Sequence, residues 1–497
     1  MSDSGALYSV AQVRAFDEHA IKVLGVPGYE LMTRAAAGAL RCLRERWPQA
    51  RRVAIVTGGG NNGGDGLVMA RLARAAGIDV TVLAVVAAPG LRGDARRAAD
   101  EFLTAGGTVR PFDATLSAAA LAEADVIVDA LLGTGLQAPV RAPYRQAIDA
   151  INRSGRQVLA LDLPSGLDGD SGAVLGAAVS ASCTMTFVAS KLGLYLGDGP
   201  VHAGTVLLDD LQVVPPAGAA AQPLLELLRD TDIARALPPR AHAAHKGNFG
   251  RVLIVGAGHG MPGAVRLSGE ACLRSGAGLV TTATAPENVA AISGARPELI
   301  CVAARSSADI GAQLAAATVV AIGPGLGLDA WARELFEAVL KCGKPLVIDA
   351  DALTLLAAAG APPPPGSILT PHPGEAARLL ATTSAAIQAD RSAALQALVT
   401  KTGATVVLKG AGTLIGMPGR IPALCSAGNP GMAAPGMGDV LTGLIAGILA
   451  QCADPWLAAR AGVQAHARAG DELARRCGGR GLLALELAAD LPHWLGA

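Results

Sequence analysis

The chain has 497 residues, no formal net charge, 51% hydrophobic residues and only 3% aromatic residues. A chain of this length is too long for one ordinary core and predicts two or three domains. Because no basic face with interleaved aromatic residues is present, neither nucleic acid nor an anionic membrane is indicated as a partner.

The N-terminal twenty residues contain acidic side chains and no apolar core of a signal peptide, so we expect a cytoplasmic protein. The eight cysteines form no Cys-x-x-Cys pair and are predicted to be reduced core residues. Two uncharged runs, 171–190 and 310–328, are long enough to raise the question of membrane insertion. The first is rich in Ser, Thr and Gly and the second is broken by Gly-Pro-Gly, so strands and turns are predicted instead.

The first half of the chain predicts an open parallel sheet with helices between its strands. The spacing of Ser9 and Gln12 is that of a capping box and predicts a helix, and a second helix is predicted from about Tyr29 to before Pro48. An apolar run at 52–57 is followed by a glycine-rich loop at 58–66 and then by a helical pattern, which is the phosphate-binding plan of such sheets. Further strands are predicted at 80–86, 126–131 and 158–163.

The loop contains a Gly-x-Gly-x-x-Gly motif at 58–63, which formally fits the dinucleotide fingerprint. A dehydrogenase would also have an acid at the end of the second strand, and residues 81–87 supply none. Asn61, Asn62 and Asp65 add side-chain donors and acceptors that a simple phosphate cradle does not need. The loop is therefore expected to bind more than phosphate.

Polar residues also follow two other predicted strands, where open sheets bind ligands. Oxygen atoms of Asp129 and Ser165, together with Asn62, could surround a hard cation. Asp162, at a rigid strand end, is the best candidate for acid and base chemistry. Each of these would most often be a turn residue if it stood alone. Their recurrence at consecutive strand ends favours a site.

Four segments in this half, 60–66, 129–135, 162–166 and 190–194, closely resemble the NAD(P)H-hydrate epimerase domain, over about residues 1–214. The resemblance implies a Rossmann-like three-layer αβα domain that interconverts the R and S epimers of hydrated NADH and NADPH (NADHX and NADPHX).

The same resemblance implies the site residues of this domain. Asp162 would be the catalytic, proton-handling residue, with Lys191 as a second polar group. A potassium ion would be held by Asn62, Asp129 and Ser165. The implied substrate contacts are Asn61, Asn62, Gly63, Gly64, Asp65, Gly133, Thr134, Gly135, Leu136, Gln137, Ala138, Pro139, Tyr144 and Asp162.

A proline- and alanine-rich segment at 213–240 is predicted to be a linker with one short helix, the linker proper being 215–231. After it the pattern restarts at 245–256 with a new strand that enters a glycine-rich stretch at 256–263. This predicts a second α/β domain that is not a repeat of the first. Further strands are predicted at 279–284, 318–322, 345–349, 367–370 and 405–409.

The stretch 429–443 is a glycine-rich loop that leads into a predicted helix. The N–H groups of Gly436, Met437 and Gly438 at the positive end of that helix would form a seat for an anion. Asp439 could take a proton from a hydroxyl group while the loop holds the phosphate that the hydroxyl attacks. An isolated Gly-x-Gly-Asp sequence is about equally compatible with an ordinary helix cap.

Polar residues at other strand ends of this half strengthen the catalytic interpretation. Lys409 can neutralise phosphate charge, and Glu375 or Asp351 could position a magnesium ion, usually through water. His372 lies between two prolines, where a lone histidine is most often structural, but in this setting substrate contact is favoured.

These motifs resemble the ribokinase-like NAD(P)H-hydrate dehydratase family, over about residues 232–497, with a ribokinase-like αβα fold. The resemblance implies Mg²⁺ as cofactor, ADP as phosphoryl donor and AMP as product. Pro435 stands where a glycine-rich run is usual and removes one N–H donor. Implied nucleotide contacts are Lys409, Gly410, Ala411, Gly412, Thr413 and Gly438. Implied contacts to the hydrated nicotinamide are Ala264, Gly325, His372 and Asp439, with Asp439 as the catalytic residue.

The two resemblances together imply a bifunctional repair enzyme whose partners are the small molecules NADHX, NADPHX, ADP and AMP, and which forms a homo-oligomer. Phosphoryl transfer to the C6 hydroxyl would turn a poor leaving group into a good one. Two alternatives are left open. The second half could be a kinase that phosphorylates a vitamin precursor such as hydroxyethylthiazole, and the first half could be a non-catalytic binding module.

Overall fold

The computed structural model describes residues 5–218 and 221–496. It divides into two compact units, residues 1–225 and 226–497, here called the N-terminal and C-terminal units. The division falls inside the segment 215–231 that was predicted to be a linker.

Among its described residues, the N-terminal unit contains nine strands and seven α-helices. Seven of the strands form a fully parallel sheet of order β4-β3-β2-β5-β6-β7-β9, and β1 pairs with β8. The strands are β1 (Ala6–Tyr8), β2 (Arg52–Thr57), β3 (Asp79–Ala84), β4 (Val109–Pro111), β5 (Val126–Ala130), β6 (Gln157–Leu161), β7 (Cys183–Phe187), β8 (Ser190–Lys191) and β9 (Thr205–Asp209). The helices are α1 (Val10–Lys22), α2 (Gly28–Arg46), α3 (Asn61–Ala75), α4 (Gly93–Thr104), α5 (Ser117–Glu123), α6 (Tyr144–Arg153) and α7 (Gly199–Ala203).

The central strands of this sheet are buried on both faces. Ile55 of β2 belongs to a core with residues of α2, α3 and α4, whereas its neighbours Ala54 and Val56 belong to a second core with residues of α5 and α6. Successive side chains of a strand point to opposite faces, so apolar residues in sequence fill two separate helix layers. The predicted three-layer αβα arrangement is therefore confirmed.

The predicted start of α1 is confirmed by a capping box in which the Ser9 side chain accepts from the Gln12 N–H. The extent of the glycine loop was predicted wrongly, because α3 begins at Asn61 and only Gly58–Gly60 precede it. The helix can start so early because Gly63 has no side chain. A Cβ there would collide with the Gly58 carbonyl oxygen.

The C-terminal unit has a sheet of order β13-β12-β11-β14-β15-β16-β17-β18-β19-β10, in which only the pairs on either side of β18 are antiparallel. Its strands are β10 (Leu225–Leu227), β11 (Arg251–Val255), β12 (Leu279–Thr284), β13 (Ile300–Ala303), β14 (Val319–Ile322), β15 (Leu346–Ile348), β16 (Ile368–Leu369), β17 (Thr405–Leu408), β18 (Thr413–Gly416) and β19 (Ala423–Cys425). Its helices are α8 (Asp230–Ala236), α9 (Pro262–Arg274), α10 (Val289–Ala295), α11 (Gly311–Ala316), α12 (Ala330–Leu340), α13 (Ala350–Ala359), α14 (Pro373–Leu380), α15 (Ser384–Ala389), α16 (Arg391–Thr402), α17 (Met437–Cys452), α18 (Pro455–Cys477) and α19 (Ala484–Leu495).

Helix α17 is buried along most of its length and packs against α9 and α18. Its central position follows from its sequence, which is apolar on nearly every face and carries small residues at close contacts. At Gly443 the backbone of α17 approaches the Ser268 carbonyl of α9 so closely that a Cβ would overlap that oxygen. Glycine is thus required for this helix contact.

Gly443→Ala is expected to lower the free energy of unfolding by about 1–3 kcal/mol or more, because α9 and α17 must separate to admit a methyl group. Urea denaturation of the full chain followed by circular dichroism measures the loss. Gly294→Ala in α10 is the matched control, since a Cβ there meets nothing within 4 Å. Equal stability of the two variants would contradict the packing argument.

The cysteines and the possibility of a membrane-spanning segment were also addressed by the predictions. The eight cysteines are free, as predicted, but only four of them are buried, three are partly buried, and Cys477 is exposed because it ends α18. In the part of the chain that the structure describes, no helix combines the length and apolar character needed to cross a membrane.

Candidate functional site

The N-terminal unit contains a cavity of about 680 Å³ at the carboxyl ends of β2, β5 and β6. Parallel strands end at one edge of their sheet, and the loops that leave β2 and β5 in opposite directions open a cleft there. Helix α1 forms another wall of this cleft. Among the predicted residues, the lining includes Asn61, Asn62, Asp65, Gly133, Thr134, Gly135, Leu136, Asp162 and Lys191.

Asp162 follows β6 directly and has a positive φ of 67°. This conformation is uncommon outside glycine, although Asp and Asn adopt it more readily than other residues. Three hydrogen bonds hold it: its N–H donates to the Met185 carbonyl at 2.8 Å, and its carboxylate accepts from Lys191 Nζ at 2.6 Å and from the Thr134 N–H at 3.2 Å. The fold therefore fixes this carboxylate at the cavity and places positive charge beside it.

Lys191 is only 1% exposed, and its ammonium group uses all three protons within the fold. Besides Asp162 it donates to Thr186 Oγ1 at 3.0 Å and to the Phe187 carbonyl at 2.7 Å. A buried ammonium group needs such partners to offset its desolvation. Lys191 is thus a fixed positive charge at the base of the cavity.

Two more carboxyl groups face Asp162. Burial raises the pKa of Asp65 well above its ordinary value, and the charges of Asp162 and Asp17 raise it further, against the influence of Lys191. Burial raises the pKa of Asp17 to about 6, with Lys191 opposing and Asp162 adding to the shift. Asp17 was not predicted as a site residue. Its position in α1, far from the glycine motifs, gave no sequence signal that it faces them.

Asn62 has no hydrogen-bond partner for either polar atom of its buried amide among the described residues. Asp129, another member of the predicted cation site, is fully buried. Burial raises its pKa to about 6 despite hydrogen bonds from Ser165 and Leu131. Ser165 Oγ lies 2.6 Å from Asp129 Oδ1. Buried polar groups without partners usually contact a bound ion or water, and the unpartnered Asn62 amide oxygen is of a kind that cations with oxygen ligands use.

The remaining predicted residues of this unit differ in position. Tyr144 begins α6, and its hydroxyl accepts from the Gly59 N–H at 3.2 Å, next to the glycine loop. Gly63 and Gly64 are buried inside α3 and face other protein atoms, respectively the Gly58 carbonyl and Met32. Gln137 lines a second cavity of about 290 Å³, while Ala138 and Pro139 are exposed.

The C-terminal unit has a buried ion-pair centre at the carboxyl ends of β15 and β17. Lys409 Nζ lies 2.6 Å from Asp349 Oδ1 and 3.9 Å from Glu375 Oε2, and Thr442 Oγ1 donates to Asp349 Oδ2 at 2.7 Å. Burial lowers the pKa of Lys409, but the two carboxylates outweigh it, so the pKa is raised overall. Neither Asp349 nor Thr442 was given a site role, because Asp349 reaches Lys409 through the order of the strands and Thr442 reaches Asp349 through the packing of α17.

Asp439 lies in the first turn of α17, beside this centre. Burial and the Asp349 charge raise its pKa to about 6, against the influence of Lys409. A Cβ at Gly438 would lie 3.5 Å from Lys409 Nζ. The structure thus brings together a helix N-terminus, an ammonium group and a carboxylate with a raised pKa, which can bind an anion and accept a proton.

The segment 409–413 that follows β17 is held by Arg391 of α16. Its guanidinium group donates to the carbonyl oxygens of Leu408 at 3.1 Å, Lys409 at 3.3 Å and Gly412 at 3.3 Å. Three carbonyl groups are therefore turned toward one cation and fix the shape of the turn that was predicted to bind nucleotide. No motif surrounds Arg391, so sequence reasoning missed it.

The other predicted contacts to the nicotinamide ring are Ala264 at the start of α9, Gly325 in the loop after β14 and His372 at the start of α14. Gly325 has a φ of 57°, and a Cβ there would lie 3.1 Å from that of Ala264. His372 caps α14, with Nδ1 accepting from the Gly374 N–H at 2.9 Å. In the other direction, the Glu375 carboxylate accepts a hydrogen bond from the His372 N–H. Burial, and then the charge of Lys409, lowers the pKa of His372. His372 thus has a structural role whether or not it contacts a ligand.

Comparison with known proteins gives a consistent result for both units. Residues 28–193 match the family profile described as YjeF-related protein N-terminus, and residues 252–493 match the one described as NAD(P)H-hydrate dehydratase. The chain is 46% identical to the bifunctional NAD(P)H-hydrate repair enzyme Nnr of Coxiella burnetii over 98% of each chain. It is 42% identical to that of Escherichia coli, over 96% of this chain and 92% of the other.

A solved structure of similar fold is the ADP/ATP-dependent NAD(P)H-hydrate dehydratase from Bacillus subtilis, co-crystallised with ATP and Mg²⁺. It is 29% identical to this chain with a TM-score of 0.50. The match covers 55% of this chain and 98% of that one.

Proposed function

Because the chain belongs to the family of bifunctional NAD(P)H-hydrate repair enzymes, we propose that its N-terminal unit, about residues 1–214, epimerises hydrated NADH and NADPH. The C-terminal unit, about residues 232–497, dehydrates the S epimer. The alternative of a vitamin-precursor kinase joined to a binding module does not account for a match to repair enzymes along the whole chain. We also predict a cytoplasmic homo-oligomer that acts on both NADHX and NADPHX.

In the C-terminal unit the hydroxyl at C6 of the hydrated ring is phosphorylated and then leaves as phosphate, and electrons of the ring nitrogen restore the dihydropyridine. The observation that carries this proposal is the meeting of Lys409, Gly438 and Asp439 at the start of α17. Asp439 accepts the hydroxyl proton, while Lys409 and the helix N–H groups stabilise charge on the moving phosphoryl group. We propose ADP as the donor and AMP as the product.

Nucleotide binding is proposed for the turn Lys409, Gly410, Ala411, Gly412 and Thr413, with Gly438. Magnesium would be carried mainly by the nucleotide phosphates, with Glu375 as a nearby carboxylate whose pKa is raised by burial. No cluster of three or more His, Cys, Asp or Glu side chains able to hold a metal occurs among the described residues. The ion would neutralise phosphate charge.

One assay tests both halves. The protein is incubated with mixed R and S NADHX, magnesium and ADP or ATP, and NADH is followed by its absorbance. We expect complete recovery of NADH. Recovery of only the S epimer would contradict the epimerase assignment, and a stable phosphorylated product without NADH would contradict the dehydratase assignment.

Potassium is proposed to occupy the site formed by Asn62, Asp129 and Ser165, where it would neutralise the buried carboxylate and order the loops around the substrate. Replacement of potassium by choline at equal ionic strength is expected to slow epimerisation at least about tenfold, a typical effect of losing an ordered site. Thermal unfolding is a readout independent of activity. Potassium should raise the melting temperature of the wild type but not of Asn62→Leu, and an equal rise in both would contradict this site.

A further inference from the structure

Four of the ionisable side chains that line the N-terminal cavity, including Asp162 after β6, come from different parts of the fold. Asp17 comes from α1, Asp65 from α3 and Lys191 from β8. Three carboxyl groups thus share one ammonium group in a buried space. Like charges at short range disfavour ionisation of one another. The neutral form of at least one of the three carboxyl groups is therefore favoured.

Asp162 accepts hydrogen bonds from the Lys191 ammonium group and from the Thr134 N–H, and these bonds hold its carboxylate at the cavity. Burial and neighbouring charges raise the pKa of Asp65 well above its ordinary value. Among the described residues, no hydrogen bond contributes to this shift. The charged groups that line the cavity around it are Arg14, Asp17, Glu18, Asp94, Asp162 and Lys191.

We propose that Asp65 is the general acid of the epimerisation and works opposite Asp162, the base. This inference rests on the proposed epimerase function. A hydroxyl group next to a ring nitrogen changes configuration if the ring opens and closes again, and opening requires proton removal from oxygen together with proton delivery to nitrogen. A neutral and an ionised carboxyl group facing one cavity supply both.

In the opening step Asp162 accepts the proton of the C6 hydroxyl, and the O–H electron pair forms the C6=O bond. The C6–N1 bond breaks, and its electron pair moves to N1, which takes the proton of Asp65. Rotation about C5–C6 then turns the other face of the aldehyde toward N1. In the closing step N1 attacks C6 and returns its proton to Asp65, while Asp162 returns its proton to oxygen, so every group regains its initial state.

Asp65→Asn tests the role, because the amide keeps the shape and hydrogen-bonding capacity but has no proton to donate to N1. We expect kcat for epimerisation to fall about 100-fold to 1000-fold, within the usual contribution of general acid catalysis, while KM changes less than about threefold. The matched control is Asp100→Asn, which removes an exposed carboxylate paired with Arg96 in α4. Wild-type kcat in Asp65→Asn would overturn the proposal.

A second measurement does not depend on that variant folding. Since Asp65 acts in its protonated form, the wild-type rate should decline at high pH as Asp65 ionises. Asp17→Asn removes a neighbouring negative charge, which lowers the pKa of Asp65, so this decline should begin at a lower pH. An unchanged position of the decline would overturn the proposal even if kcat falls.

Oxygen labelling tests whether the C6–N1 bond or the C6–O bond breaks during epimerisation. Ring opening keeps the C6 oxygen, so epimerisation in ¹⁸O-water is expected to give product with little label, whereas full exchange at each turnover would show loss of water instead and would overturn proton delivery to N1. A wild-type protein that does not epimerise NADHX at all would contradict the proposed function itself, which separates that failure from a failure of the role of Asp65.

Discussion

Asp439→Asn is expected to reduce nucleotide-driven recovery of NADH from S-NADHX by at least about 100-fold, the usual lower bound for loss of a general base. The amide matches the carboxylate in shape but cannot accept the hydroxyl proton. Steady-state rates with magnesium and ADP measure the loss. Because the epimerase unit is not altered, interconversion of R and S NADHX by the same sample is an internal control.

The stability of Asp439→Asn at pH 7 is expected to be higher than that of the wild type, although its activity is lower. The pKa of Asp439 in the folded chain is about 6, above the ordinary 3.8. The ionised carboxylate therefore opposes folding, and this penalty is complete above about pH 6 and disappears as the pH falls below the ordinary value. At pH 7 Asp439→Asn should thus unfold at a higher temperature than the wild type while being inactive, as is common for catalytic groups held in unfavourable surroundings.

The same pKa predicts an acid limb in the activity profile. The base must be ionised, so the dehydration rate at saturating magnesium nucleotide should fall as the pH drops below about 6. Glu337→Gln, which removes an exposed carboxylate of α12, serves as the matched control. If Asp439→Asn retained more than about a tenth of the wild-type rate, the assignment of Asp439 as the base would be wrong.

The second large effect is expected for Asp162→Asn, which should abolish recovery of the R epimer above its uncatalysed rate, a loss of at least about 100-fold. Asn is the appropriate replacement because it tolerates the positive φ of this position, whereas Ala would add backbone strain. Recovery of the S epimer depends on the other unit and should continue at the wild-type rate. The ratio of R to S recovery is therefore the measurement.

Loss of the Asp162 charge also leaves Lys191 buried without its carboxylate, which costs about 3–5 kcal/mol in comparable cases. A double variant, Asp162→Asn with Lys191→Met, removes the unpaired charge and distinguishes loss of catalysis from unfolding. We expect the double variant to regain stability and to stay inactive toward the R epimer. Substantial R recovery by a folded double variant would refute the role of Asp162 as the base.

Much of the fold could be predicted from the sequence because its elements depend on local patterns. The runs Arg52–Thr57 and Leu279–Thr284 were predicted with the observed bounds, because both are rich in the β-branched residues that favour strands. Short strands such as β4, β13 and β16 were missed or misjudged in length, because two to four residues carry too little pattern. The antiparallel β18 was also missed.

Glycine positions were predicted as site features, yet the structure gives several of them a packing role. Gly63 and Gly64 were predicted to contact substrate from a loop, but they lie within α3 and allow it to approach the Gly58 carbonyl and Met32. A glycine-rich sequence alone does not distinguish a flexible loop from a helix that packs closely. That choice depends on which backbone lies opposite.

By itself the sequence determined the two α/β units, the strand ends that carry Asp162 and Lys409, the helix start that carries Asp439, and the family. Only the tertiary structure decided that Asp17 faces Asp162 and that Asp349 accepts hydrogen bonds from both Lys409 and Thr442. The physical reason is that periodicity records whether a side chain is buried, whereas the partner of a buried charge is set by sheet order and helix packing. The raised pKa values of these carboxyl groups follow from those distant contacts.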